Sequence, residues 1–267
     1  MTEDNIKRKT LSIRISTNGF CFCGYTPSAP ESLQYHTYPT DKARSLAANL
    51  DRAIEEIPFI KKGEHYNVKA IIESNEYTCL PNEYDNKQDY RQYYRLCFPK
   101  SDGNIELVAN RLNAQGFTII FPVEKNLHEK IQELGEVTFY TPASIMAGFM
   151  HTYNAEESKY LLAYTQNDQT LFVSIKNKSI ELINTFKSEN GQDILFYLLS
   201  IWKEQGLSQS EDTLYLCGDK NIEELLLVTG KFIKHIKRLN PNKLFTSNLL
   251  NKIKGIPFDL QALILCE

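Results

Sequence analysis

Leu11-Ser12-Ile13-Arg14-Ile15-Ser16-Thr17-Asn18-Gly19-Phe20-Cys21-Phe22 decides the architecture, because Tyr160-Leu161-Leu162-Ala163-Tyr164-Thr165-Gln166-Asn167-Asp168-Gln169-Thr170-Leu171 follows the same plan. In the first stretch Leu11, Ile13 and Ile15 alternate with Ser12, Arg14 and Ser16, the period of a half-buried strand. Asn18-Gly19 then reads as a hairpin turn, since both residues tolerate positive φ. Phe20, Phe22 and Gly24 continue the return strand. In the second stretch Tyr160–Tyr164 and Thr170–Ile175 meet at Asn167-Asp168. A further turn at Asn177-Lys178 leads to Ile180–Phe186.

Working outward, each strand set leads into a helix. After the run Leu33–Tyr38, which stops at Pro39, Ala43, Leu46, Ala47, Leu50, Ala53, Ile54 and Ile57 recur at steps of three and four. This predicts an amphipathic helix begun by Thr40 or Asp41 and closed by Pro58. In the later half Ile194, Leu195, Leu198, Leu199 and Trp202 share a helix face that Gly206 terminates. The apolar runs Val68–Ile72 and Leu214–Cys217 follow their helices as buried strands. Asn221 and Glu224 fit a capping box for a short helix that stops at Gly230.

Between the repeats, Asp85–Cys97 reads as a helix, Ile105–Arg111 and Phe117–Phe121 as a strand pair turning through Asn113–Gly116, and Leu127, Ile131 and Leu134 as a helix face. Val137–Tyr140 is a strand and Pro142–Met150 another helix. The fold class is therefore α/β, with two similar lobes, each a mixed β-sheet with flanking helices in a duplicated β-β-β-α-β-α order and a cleft between them. With Asn154–Glu157 as the boundary, the lobes span 1–154 and 155–267. The match is one of pattern; identity between the halves is negligible.

Composition sets limits on function. With 267 residues, 42% of them hydrophobic, the chain can bury substantial cores. No apolar run approaches the ~18 residues of a membrane span. Met1–Thr10 is polar and charged, unlike a secretory signal. A formal net charge of -3 gives no general attraction to polyanions or membranes. The six cysteines, at 21, 23, 79, 97, 217 and 266, show no CxxC pairing. They read as buried, reduced thiols, which suits the cytoplasm. Five histidines show no metal-ligand spacing.

The duplicated order resembles the actin-like ATPase superfamily, which includes actin, sugar kinases and DnaK-type chaperones. More closely, the chain is similar to an uncharacterised bacterial family assigned that fold. The likeness runs from Leu11 to Leu265. Its most specific segment is Thr141-Pro142-Ala143-Ser144-Ile145-Met146-Ala147-Gly148, where the superfamily has a Pro-Ala-rich helix whose small residues allow close packing. The resemblance implies three acidic positions, one in each of two phosphate loops and one ahead of the helix. Here they hold Ser16, Thr165 and Thr141. The implied Gly-Gly of the nucleoside loop is Cys217-Gly218-Asp219.

Phosphoryl transfer rests on positioning and on Mg²⁺ held by hard oxygen ligands, typically carboxylates. Hydroxyls at all three positions remove that charge together. The reading is consequently a pseudo-ATPase: a non-catalytic protein-binding scaffold or regulator with an unidentified protein partner, no cofactor, no catalytic residues and no metal. The alternative is a divergent Mg–nucleotide-binding ATPase or kinase-like enzyme, with a degenerate site at Thr17, Asn18, Gly19, Asn167, Asp168, Gly218 and Asp219. Asp168 and Asp219 also fit plain turn and cap roles.

Lys231, Lys234, Lys237 and Arg238 form a weak basic segment for nucleic acid, or else the solvated face of an edge strand or helix. The tyrosines of Tyr90–Tyr94 read as core rather than as a stacking platform. A homodimer is compatible with the sheets, and no interface is legible.

Overall fold

The computed structural model describes residues 9–61, 63–101, 103–153, 157–218, 222–239, 253 and 255–265. The chain forms two compact units, Met1–Pro142 and Ala143–Glu267. This division precedes the expected boundary at 154, so that the helix Pro142–Thr152 goes with the second unit. Of that expected boundary, residues 154–156 lie outside the described residues.

The first unit contains β1 (Thr10–Ile15), β2 (Gly19–Thr26), β3 (Ala29–Pro39), α1 (Leu46–Glu56), β4 (Tyr66–Ile72), β5 (Thr78–Pro81), α2 (Tyr90–Cys97), β6 (Ile105–Leu112), β7 (Phe117–Glu124), α3 (Lys125–Gln132) and β8 (Gly135–Tyr140). The second contains α4 (Pro142–Thr152), β9 (Lys159–Gln166), β10 (Gln169–Lys176), β11 (Ser179–Lys187), α5 (Gly191–Glu204), β12 (Thr213–Gly218), α6 (Ile222–Thr229), β13 (His235–Arg238) and α7 (Phe258–Leu265).

The five-stranded sheets have orders β3-β2-β1-β4-β8 and β11-β10-β9-β12-β13, the same path traced twice. In each, the first three strands pair antiparallel and the fourth joins the first in parallel, Ile13 opposite Ala70 and Leu162 opposite Tyr215. A third sheet, β5-β7-β6, is inserted between β4 and β8.

The central strands are buried on both faces, as parallel strands usually are. All six residues of β1 are buried, so the half-buried strand expected from its alternation is corrected. Ser12 and Arg14 are enclosed along with Leu11 and Ile13. A buried guanidinium needs a partner, and Arg14 Nη2 meets Glu73 Oε1 at 3.0 Å.

In the second unit Leu161, Ala163, Phe172, Leu214 and Leu216 pack with Ile194, Leu198, Ile201 and Trp202 of α5 and with Ile222 and Leu225 of α6. The opposite sheet face carries α4 and α7: Phe149 meets Phe258 edge-on at 5.2 Å, Tyr164 lies 6.3 Å from Phe258, and Tyr153 meets Tyr215 at 5.6 Å.

Several local expectations change. Helix α1 starts later than Thr40 or Asp41, with Ser45 as N-cap accepting from Ala48 N. Asp41 instead accepts the Ala43 N–H, and the Asn49 amide nitrogen donates to the Asp41 carbonyl. Asp85–Cys97 is not one helix. Two 3₁₀ turns, Asn82–Tyr84 and Lys87–Asp89, precede α2, and Asp85 is held away from helical geometry by Thr118, Arg111 and the Tyr90 hydroxyl. Tyr90 and Tyr94 are core, as expected.

Cys79 and Cys97 are exposed, against the expectation of buried thiols, because β5 is an edge strand and Cys97 ends its helix. Cys266 and Asn221 lie outside the described residues. No helix among the described residues is long and apolar enough to cross a membrane.

Lys69 on β4 is nearly inaccessible, and burial lowers its pKa to about 8. Below that pH both folded and unfolded chains hold the proton, so the folded state carries the full cost of an enclosed charge. Between there and the ordinary lysine value the folded protein releases its proton first and the cost fades. Lys69→Met removes this titration, so wild type should gain stability relative to the variant as pH rises from about 8 toward 10, by up to about 3 kcal/mol, as urea melts at both pH values would record.

Candidate functional site

The resemblance places the phosphate loops at the tips of the first hairpin in each unit. In the first unit the tip closes on itself. Ser16 N donates to Gly19 O at 3.1 Å, the Ser16 hydroxyl donates to the same carbonyl at 2.8 Å, and Gly19 N donates to Ser16 Oγ at 3.2 Å. The hydroxyl thus takes the place of the Ser16 carbonyl as acceptor across the turn. Neither Asn18 nor Gly19 adopts positive φ, which corrects the expected left-handed turn: a side-chain acceptor relieves the backbone of that conformation.

Gly19 sits in a tight approach to the neighbouring strand. A Cβ there would sit 3.0 Å from the Tyr38 carbonyl on β3. Thr17 and Asn18 are exposed at the tip, and the Thr17 carbonyl accepts from Thr40 Oγ1 at 2.7 Å.

In the second unit the tip is a two-residue turn between Gln166 and Gln169. Asn167 does adopt positive φ, 53°, and Asp168 is exposed with its carbonyl accepting from Ser188 N at 2.7 Å. Asp168 therefore stands in the turn role. Thr165, at the acid position, is fully enclosed, its hydroxyl directed to the Cys217 carbonyl at 3.5 Å.

Gly218 lies opposite Thr165 in the parallel register at φ 132°. A Cβ on it would fall 1.9 Å from the Thr165 carbonyl. Its glycine character serves strand–strand approach. Asp219 lies outside the described residues. The structure thus brings Thr17, Asn18 and Gly19 together in one unit, and Asn167 and Asp168 in the other with Gly218 against the adjoining strand.

These residues do not fit a Mg–nucleotide as the resemblance would have it. The Gly19 N–H is engaged by Ser16, and Thr165 is walled by Gly218. Glu73 follows β4 at the end of the strand beside the first tip, with its N–H donating to Ile15 O at 3.0 Å, and its carboxylate is balanced by Arg14. Among the described residues no three His, Cys, Asp or Glu side chains converge as metal ligands. Thr141 is fully buried ahead of α4. A Cβ on Gly148 would meet nothing within 4 Å.

The basic segment divides. Lys237 pairs with Glu157, and Arg238 with Glu223. Lys237 also lies 5.9 Å from the Tyr215 ring centroid. Burial alone would raise the Glu157 carboxyl, yet Lys237 and the Tyr215 hydroxyl, 2.8 Å away, hold it below the usual range. Lys231 and Lys234 are exposed. Two of the four cations are thus engaged within the chain.

Sequence reading overlooked a cavity of about 890 Å³ between the start of α5 and α6, lined by Gln192, Ile194, Leu195, Leu225 and Val228 with Glu189 and Glu224. The same helices expose Phe196 (67%) and Leu227 (75%). The available signal was an apolar pattern wider than one core-facing stripe on each helix.

Gly218→Ala is expected to destabilise the protein by at least about 3 kcal/mol, because a methyl group cannot coexist with the Thr165 carbonyl. Gly148→Ala, a helical site with open space, should be neutral or stabilising. Paired thermal melts of the two variants check both.

Along residues 1–236 the chain matches the family described as "Protein of unknown function (DUF3822)". No curated protein matches it. Among solved structures it is similar to a Bacteroides thetaiotaomicron VPI-5482 protein with actin-like ATPase fold and unknown function, at 26% identity over 100% of both chains and a TM-score of 0.81. It is also similar to a chain of the PilM-PilN type IV pilus biogenesis complex, at 14% identity over 96% of this chain and 97% of that one, with a TM-score of 0.58. The second likeness concerns the fold alone. With its mixed sheets traced twice in the same order, the chain has the actin-like ATPase fold and belongs to the family described as Protein of unknown function (DUF3822).

Proposed function

We propose that this protein is a non-catalytic scaffold or regulator that uses the actin-like ATPase fold to bind another protein in the cytoplasm. The observation that carries this reading is that the hydroxyls at two of the acid positions are both committed to backbone contacts. Ser16 and Thr165 stand where the superfamily has acids; the Ser16 hydroxyl bridges its own turn, and the Thr165 hydroxyl is enclosed and directed to the Cys217 carbonyl of the neighbouring strand. Electrostatic stabilisation of a transferring phosphoryl group needs charge and free N–H donors aimed outward. The free cysteines suit a reducing compartment.

The α5/α6 cavity is the surface that fits a partner. Its lining includes Ile194, Leu195, Leu225 and Val228 together with Glu189 and Glu224, and the same two helices expose Phe196 and Leu227. That chemistry suits a protein segment with apolar anchors flanked by lysine or arginine. A neighbour of this fold was solved in the PilM-PilN complex, which supports the use of such a scaffold in an assembly. Nucleic acid is a weaker fit, because Lys237 and Arg238 are paired within the chain.

Thermal melting with and without millimolar Mg–ATP tests the non-catalytic half of the reading. A ligand at 100 times its Kd stabilises by about 2.7 kcal/mol; no shift is expected, and a clear shift with phosphate release overturns the proposal in favour of the divergent enzyme. For the binding half, a protein crosslinked to wild type should be lost from Phe196→Glu and Leu227→Glu. Equal recovery with all three would remove the cavity from the reading.

A further inference from the structure

Helices α5 and α6 pack on one face of the second sheet, and each carries a second apolar stripe beside the one that enters the core. On α5 Leu195, Phe196 and Leu199 recur at helical spacing, and on α6 Leu227 and Val228 lie one turn beyond Glu224. Leu195 and Val228 line the cavity, whereas Phe196 and Leu227 are exposed. The stripes thus continue the apolar lining of the cavity into solvent.

The backbone around the cavity has little to offer an incoming chain. The Gln192 and Asp193 N–H groups donate to the Asn190 side chain at 2.9 and 3.0 Å. Those of Glu189 and Asn190 donate to Asp193 Oδ2 at 2.9 and 3.3 Å, and Ile194 N donates to the Asn190 carbonyl at 3.3 Å. On the α6 side Gly230 N closes on the Leu226 carbonyl at 3.0 Å. An extended peptide pressed against this surface would bury N–H and C=O groups without partners, at the cost of lost hydrogen bonds. A helix satisfies those groups internally and presents only side chains.

Charge adds a second condition. Glu189–Glu204 and Ile222–Thr229 carry five acids, Glu189, Asp193, Glu204, Glu223 and Glu224, against Lys203 alone. Lys187 and Arg238 reach Glu189 and Glu223 from adjoining strands, and the acids still outnumber the cations. Both pairs are exposed, where solvent screens them.

We propose that the α5/α6 cavity receives an amphipathic helix of a partner protein, apolar on one face and basic on its flanks. This occupant rests on the assignment of the cavity to protein binding. With eight residues, α6 is about 12 Å long, so the contact spans roughly two turns of the partner. Apolar residues three or four apart on that helix enter between Leu195 and Val228, and its lysines or arginines face the acids.

Three synthetic peptides of about 14 residues, roughly four helical turns, test the proposal by titration into the full chain. The first places leucine at helical spacing with lysine elsewhere. The second has the same composition with leucine and lysine alternating. The third keeps the helical spacing with glutamate in place of lysine. The first is expected to bind at least about tenfold tighter than either of the others, and added salt should weaken it. Phe196→Ser and Leu227→Ser, both at exposed positions, should lose that binding with an unchanged melting temperature. Amide exchange over 194–199 and 224–229 should slow in wild type when the first peptide is added, a readout that needs no variant. Equal binding of the alternating or the acidic peptide overturns the proposal, and so does binding that survives both serine variants. If no peptide binds while Phe196→Glu and Leu227→Glu still lose the crosslinked partner, the helical occupant fails and the docking surface stands. Equal recovery of that partner with wild type and both glutamate variants removes the surface, and the helical occupant with it.

Discussion

One parallel strand pair organises each sheet, β1 with β4 and β9 with β12, and these strands are buried on both faces. In the second unit α5 and α6 cover one side while α4 and α7 cover the other. Parallel strands require this double cover, and once it is in place the register is no longer free. A slip of one residue would reverse every side chain on a strand enclosed from both sides. The hairpins and helices hang from this pairing, and so does the chemistry available at the strand ends.

That constraint explains the state of the candidate site. Gly218 and Thr165 are register partners at the end of β12 and β9, and the carbonyl of one occupies the space a side chain on the other would need. In the first unit the strand end is sealed by a different device, the Ser16 hydroxyl bridging its own turn. Both solutions satisfy backbone groups internally. The actin-like architecture is thus kept with these strand ends committed to backbone contacts, and a fold does not by itself carry an activity.

Much of the architecture was legible in the chain. The alternation at Leu11–Ile15, the turn residues Asn167-Asp168 and the helical spacing of Leu50, Ala53 and Ile54 report local geometry directly. The readings that failed depended on distant residues. Arg14 alternates like a solvent-facing residue, yet it is enclosed because Glu73 arrives from β4 to neutralise it. Asp85 sits in a helical pattern, but Thr118 and Arg111, reaching it from β7 and β6, hold it in a loop.

The sequence by itself determined the duplicated order of strands and helices and the replacement of carboxyl groups by hydroxyls at positions 16, 141 and 165. These follow from periodicity and side-chain chemistry, which are local. Tertiary structure decided that those hydroxyls are enclosed, that Gly218 serves strand packing, and that a cavity lined in part by Glu189 and Glu224 opens between α5 and α6. Each of these depends on which strand lies beside which, and residues far apart in the chain set that adjacency only when both faces of a sheet are covered.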